Sequence, residues 1–110
     1  LIFYCMHMNM QQLLVLGRAT KDAEVLESKE GKPYARFSLA VNEYLGKDKD
    51  ERTTFYNVLI FNKTSVNAEK ITKGNLVMVD GRPEVDAYIS NEGNAKANLV
   101  VVANRWRVIQ

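Results

Sequence analysis

The pattern of apolar and polar positions divides the chain into short extended segments. Gln12 to Leu16 is a brief apolar run stopped by Gly17-Arg18; too short for a helix, it reads as a buried strand. Lys21 to Glu30 is mixed and charged, with Val25 and Leu26 its main apolar members, and Glu30-Gly31-Lys32-Pro33 is a turn signal. From Tyr34 to Glu43 the residues alternate. Ala35, Phe37, Leu39 and Val41 face one way, and Arg36, Ser38, Ala40 and Asn42 the other, as in a strand with one wet face. Gly46 to Arg52 is dense in charge and reads as an exposed, mobile loop. Thr53 to Phe61 is rich in β-branched and aromatic residues and predicts a third strand.

Thr64 to Thr72 is the helical candidate. Thr64 or Ser65 can cap it and Lys73-Gly74 can stop it, and at about two turns it depends on packing for stability. Leu76 to Val79 is the fourth strand, broken by Gly81 and Pro83. Val85 to Ile89 continues it as an edge ribbon, because Pro83 has no N–H to give to a ladder. Ser90 to Asn94 is a hairpin turn, and Ala97 to Ala103, extended through Arg105 to Ile109, is the last strand. One helix among five strands is too few for a βαβ sheet covered on both faces. The expected fold is all-β: a five-stranded Greek-key barrel with one short helix between the third and fourth strands, which is the oligonucleotide/oligosaccharide-binding (OB) fold.

The length of 110 residues suits one domain, assigned to residues 9–110. Residues 1–8 read as an apolar extension from upstream of a natural start near Met8 or Met10, with an arm used in subunit contacts as the alternative. The 15 Lys and Arg against 13 Asp and Glu leave a formal charge of +2, so a polyanion would have to be held by local placement of charge or by something other than charge. Cys5 cannot form an internal disulfide, and with His7 it cannot build a zinc site, so no metal or other cofactor is expected. No apolar run approaches a membrane span.

Enzyme signatures are missing: there is no glycine-rich phosphate loop, no zinc spacing and no Ser/His/Asp set. Asp80, Glu84 and Asp86 share parity and could hold a hard cation, although Gly81 and Pro83 would disturb that parity; solvated edge charges are the plainer reading. The aromatic placement says more. If Val58 and Ile60 point into the barrel, Phe55 and Phe61 point out, where bases could stack on them in a sequence-tolerant way. The alternative is that a subunit interface covers one or both rings. Arg36, Lys63 and Lys73 could track phosphates near this face, and Tyr88 near the late hairpin tip could close over a strand. Trp106, between two arginines in a terminal strand, reads as core or interface instead.

At these residues the chain resembles the bacterial-type single-stranded DNA-binding proteins (SSB). The resemblance runs from Asn9 to Ile109 and rests on ordered pieces: Leu14-Val15-Leu16-Gly17-Arg18, Ala35-Arg36-Phe37-Ser38-Leu39, Thr53 through Lys63, Val79-Asp80-Gly81-Arg82, and Val101-Val102-Ala103-Asn104-Arg105. It implies an OB fold without enzymatic activity, assembling as a homotetramer and binding single-stranded DNA without sequence preference in replication, repair and recombination. It implies a cytoplasmic, nucleoid-associated setting, with the mitochondrial matrix as the alternative. Carried over by position, Phe55 and Tyr88 fall where the family commonly stacks Trp, Phe61 falls on a stacking Phe, and Tyr44 stands beside Leu45, which aligns with a further stacking Trp. Lys63 and Lys73 match phosphate-contacting positions, and Tyr56 and Asn57 match polar or basic contacts. Glu84 and Asp86 depart from a stretch that is often basic in the family and would repel phosphate. The chain stops at Gln110, without the acidic-tipped tail through which such proteins recruit enzymes, so tail-mediated partners are not expected of it. A second reading is an SSB-like adaptor module whose OB face binds protein and has little DNA affinity. A third is a metal-dependent nuclease using Asp80.

Overall fold

Alternation along the strands decides which side chains fill the interior. The computed structural model describes residues 9–46 and 51–110, so the expectations for residues 1–8 and for positions 47–50 lie outside the described residues. The strands are β1 (Leu13–Ala19), β2 (Glu24–Glu27), β3 (Pro33–Tyr44), β4 (Glu51–Ile60), β5 (Leu76–Ile89) and β6 (Ala95–Val108). Their order is β1-β5-β6-β4-β3-β2, and β1 also pairs with β3 through Arg18 opposite Ala40 and Ala19 opposite Leu39. That pairing closes β1, β5, β6, β4 and β3 into a five-stranded barrel, with β4 and β6 parallel and the other pairs antiparallel. The expected OB architecture is therefore present, with β2 added along the first residues of β3.

The core is the inward row of each strand: Val15 on β1, Ala35, Phe37 and Leu39 on β3, Val58 and Ile60 on β4, Val77 and Val79 on β5, Val101 and Ala103 on β6. Burying the Val, Leu, Ile and Phe members of this set stabilises by roughly 1.5–3 kcal/mol each. Three expectations change here. The run Gln12 to Leu16 is not buried throughout; it alternates, with Val15 inside and Leu14 and Leu16 exposed. Glu24–Glu27 is a strand despite its charged ends, held by Val25 and Leu26. The helical segment is a 3₁₀ helix, Lys63–Lys70, capped by Asn62 instead of Thr64 or Ser65, and it ends at Ile71 before Lys73-Gly74. Its geometry follows from spacing: Ser65, Ala68 and Ile71 recur every third residue and are all buried, which suits three residues per turn.

Side-chain bonds tie the helix to the barrel. Asn62 Oδ1 accepts from the Thr64 backbone N–H at 3.0 Å and from its hydroxyl. The Trp106 Nε1–H donates to Thr64 Oγ1 at 2.9 Å, and its half-buried ring packs on the core, as expected for a terminal-strand Trp. The register of β5 and β6 shifts between Asp80, opposite Arg105, and Gly81, opposite Ala103. The extra residue is Asn104, so the bulge lies on β6, and the alternation of β5 survives Gly81 and Pro83. As expected of an edge ribbon, β5 beyond Gly81 pairs, among the described residues, with β6 alone.

Gly81 is demanded by close approach. A Cβ there would lie 2.2 Å from the Val102 carbonyl oxygen and 2.8 Å from its carbon. Gly81→Ala should push β5 from β6 and cost about 1–3 kcal/mol, read as a lower urea midpoint; an unchanged midpoint would contradict this packing. The neighbouring Asp80 is clamped by Arg105 Nη2 at 2.8 Å and Gln12 Nε2 at 3.0 Å. The Arg105 hydrogen bond first, then that from Gln12, hold its carboxyl below the ordinary carboxylate range, against a burial effect in the opposite sense. A depressed folded value means the unfolded chain binds this proton more readily. The contribution is thus present above the ordinary carboxylate range and is lost as pH falls through the lower folded value. Asp80→Asn should lower the urea midpoint at about pH 7 and narrow the difference between about pH 7 and about pH 3; an unaltered pH profile would show that the clamp contributes nothing.

Candidate nucleic-acid interface

Because Val58 and Ile60 are fully buried, the alternate residues of β4 must face away from the core. Phe55 is 59% exposed, and Phe61, just past the end of β4, is 56% exposed. Six residues of extended chain set the two rings roughly 20 Å apart. Between them on the same face lie Asn57 and Leu59, with Ser38 and Arg36 opposite on β3 and Val100 and Val102 opposite on β6.

Two shallow concavities meet on this face. One is lined by Thr20, Lys21, Asp22, Glu24, Arg36, Phe37, Ser38, Asn57 and Leu59. The other lies where β4 and β6 diverge and is lined by Arg52, Thr53, Phe55, Asn57 and Asn98. Asn57 belongs to both, so together they make a continuous track past Phe55.

Two cations of the track are tethered, whereas Lys21 has no carboxylate partner among the described residues. Arg36 Nη2 lies 3.4 Å from Glu24 on β2, and Arg52 Nη2 lies 3.3 Å from Glu43 on β3. Lys73 is exposed beside the first concavity, where its backbone N–H donates to Asp22 Oδ1 at 2.8 Å. Lys63 is exposed two residues beyond Phe61, at the start of the 3₁₀ helix.

The remaining rings divide. Tyr44 shares the outward parity of Arg36 and Ser38 on β3 and is 76% exposed. Tyr88, 45% exposed, sits opposite Lys96 on the β5–β6 arm, on the same side as Glu84 and Asp86. Glu84 is paired with Arg82, whereas Asp86 has no cation partner among the described residues. Tyr56 does not join this face: it lies on the inward row with Val58, half-buried and packed against the core, so its expected DNA contact is withdrawn from the site. The carboxylates considered for a cation do not converge, because Asp80 is committed to Arg105 and Gln12 and Glu84 to Arg82.

Two contributors were missed by sequence reasoning. Tyr34 lies beside Phe61, with ring centroids 5.7 Å apart and planes tilted by 34°, within the range of favourable aromatic pairs. Its outward parity with Arg36 was the available signal. Arg52 was assigned to the charged loop and instead lies in β4, one wall of the second concavity.

The sequence model of the Single-strand binding protein family matches residues 10–109. "Single-stranded DNA-binding protein 1" of Staphylococcus aureus strain MSSA476 is 34% identical over 103 residues, covering 92% of this chain and 66% of that protein. "Single-stranded DNA-binding protein" of Halalkalibacterium halodurans is 35% identical over 86 residues, covering 76% of this chain and 51% of the relative. The chain thus spans about two thirds or less of the length of these two relatives. Among solved structures, the crystal structure of a small single-stranded DNA-binding protein from Streptomyces coelicolor superposes with a TM-score of 0.78 at 23% identity, covering 92% of this chain and 95% of the other, which supports the fold. With a family match over residues 10–109 of a closed OB barrel, the chain belongs to the single-strand binding protein family.

Proposed function

We propose that this protein binds single-stranded DNA without sequence preference, as a binding module and not an enzyme, by stacking bases on Phe55 and Phe61. The observation that supports this most is the pair of uncovered rings on the outward row of β4. Tyr44 and Tyr88 extend the stacking surface, Asn57 lies in the track, and Arg36, Lys63 and Lys73 steady the backbone. Tethering by Glu24 is no bar for Arg36: exposed ion pairs are worth only about 0–1 kcal/mol, so a phosphate can displace the carboxylate. Protection of unpaired DNA during replication, repair and recombination, in a cytoplasmic, nucleoid-associated setting, is the role that fits such a grip. The described residues include no helix long and apolar enough to cross a membrane.

The protein's other proposed partner is itself. Among the described residues, Leu13 to Leu16 of β1 pair with β5 alone, which leaves their second edge without a partner strand. Leu14 and Leu16 are exposed on the outward side of the same strand, next to Met78 opposite Leu16. An open edge beside an apolar row can pair with its own copy about a two-fold axis, as a first step to a homotetramer.

A second reading, a protein-binding adaptor, draws on the bare Asp86 and the paired Glu84 beside Tyr88, which would repel phosphate.

Titration with oligo-dT separates these readings. Phe55→Ala and Phe61→Ala should each cost about 1–3 kcal/mol of binding, or about 5- to 150-fold in Kd, with the unfolding midpoint retained. The salt slope should be shallow, about 0.7 per phosphate contact. Absence of oligo-dT binding at low salt would select the adaptor reading, and equal affinity for duplex would contradict stacking. For assembly, Leu14→Glu with Leu16→Glu should lower the mass found by light scattering, and an unchanged mass would place the interface elsewhere.

A further inference from the structure

Parallel pairing of β4 with β6 begins at Tyr56 opposite Leu99. One step earlier the same register would set Asn98 level with Phe55, but there the strands have parted, and Phe55, Asn57 and Asn98 line the cleft between them together with Arg52, Thr53 and Thr54. Asn98 shares the outward parity of Val100, which lies opposite Asn57. Two carboxamides therefore flank one exposed ring. Neither has a hydrogen-bond partner among the described residues, whereas the Thr53 hydroxyl already donates to Asn42 Oδ1 at 2.6 Å. The charges around the cleft do not favour phosphate. Arg52 is tied to Glu43 at 3.3 Å, and Asp86 stands across from Asn98 on β5 without an ion-pair partner among the described residues. Lys96, two residues before Asn98, lies opposite Tyr88 and does not line the cleft. A neutral, flat group with hydrogen-bonding edges suits such surroundings better than an anion does.

The geometry points to a base-edge subsite, in which Asn57 and Asn98 pair with the edge of the nucleobase that stacks on Phe55, whichever base it is. This rests on the DNA-binding reading above and deepens it, because it assigns partners to the edge of the base as well as to its face. A carboxamide carries an acceptor oxygen and a donor NH₂ side by side, and it can turn over to exchange them. Every unpaired base presents a donor next to an acceptor on its Watson–Crick edge: N3–H beside O4 in thymine, N4–H beside N3 in cytosine, N6–H beside N1 in adenine, N1–H beside O6 in guanine. An uncommitted amide can therefore meet all four by choosing its orientation, which a fixed charge cannot do. Asn57 and Asn98 thus satisfy the base without selecting it, and the edge contact is as sequence-tolerant as the stacking.

A carboxylate of the same shape has no donor. Guanine alone offers it two adjacent N–H groups, N1–H and N2–H, so Asn98→Asp should turn tolerance into preference. Binding is measured at low salt for a dT oligomer of about 8 nucleotides, within the range one OB fold covers, and for the same oligomer with one central dG. Wild type should bind the two alike. The variant should favour the dG oligomer by about 5-fold or more, the low end for one bidentate contact. The added charge weakens both oligomers equally, so the ratio is the readout, and Asn57→Asp, at the exposed amide, repeats the test if Asn98→Asp fails to fold. An oligomer of difluorotoluene nucleotides, which keep the shape of thymine without its N–H and carbonyls, isolates the edge. Wild type should bind it more weakly than dT, and Asn57→Leu with Asn98→Leu should narrow that gap. A dG ratio unmoved in the Asp variants, or a gap unmoved by the Leu pair, would overturn the assignment. If wild type binds no dT, the DNA-binding reading itself fails; dT binding with an unmoved ratio fails this subsite alone.

Discussion

A strand that feeds a small barrel can bury only one of its faces, and on β4 the buried face belongs to Val58 and Ile60. The rest of the molecule depends on that constraint. It turns Phe55, Asn57, Leu59 and Phe61 outward together and strings two phenyl rings along a rigid ladder held by β3 on one side and β6 on the other. Exposing large rings costs hydrophobic free energy in the free protein, which stacked bases would recover. A register slip by one residue would exchange the two rows, so the same packing that stabilises the fold also fixes the site.

Close backbone contacts keep the barrel shut around this strand. Where β1 passes from β5 to β3, a Cβ on Gly17 would lie 2.7 Å from the Ala40 carbonyl oxygen, and Gly81 meets Val102 in the same way. The bulge at Asn104 turns the end of β6, which brings Arg105 and Arg107 out beside Asp80 and Met78 while Trp106 goes under the 3₁₀ helix. The cations then differ in how firmly they are held. Arg36, Arg52 and Arg82 lean on carboxylates at the surface, whereas Lys70 leans on an aromatic ring. Two balanced pairs, Arg36 with Glu24 and Arg52 with Glu43, therefore border the stacking track, where Lys21 has no carboxylate partner among the described residues.

Much of this was legible in the residues. Period-two alternation gave β3 and, along β4, the outward placement of Phe55 and Phe61, while Tyr44 entered only through the family resemblance. Pro83 correctly marked an edge ribbon. The failures have physical causes. A continuous apolar run such as Gln12 to Leu16 does not say that one of its faces is left open, because closure of the barrel, and not the run itself, decides that Val15 goes inside and Leu14 and Leu16 stay outside. Glu24–Glu27 carries acids at both ends, and only its pairing with β3 makes it a strand. The 3₁₀ helix follows from burial every third residue, which propensity does not reveal. Tyr56 entered the site only through the family resemblance, and its parity with Val58 and Ile60 turns it inward. Tyr34 had a readable outward parity, but its pairing with Phe61, like the bond of Trp106 to Thr64, joins segments distant in the chain, which no local pattern encodes.

The most direct measurement is aromatic NMR of the protein with selectively labelled phenylalanine, followed as oligo-dT is added. Bases lying flat on the rings should shift the Phe55 and Phe61 signals upfield together, saturating with binding, while Phe37 in the core stays in place. Binding of oligo-dT with the Phe55 and Phe61 signals unmoved would contradict the account, because the grip would then reside somewhere other than the outward row of β4.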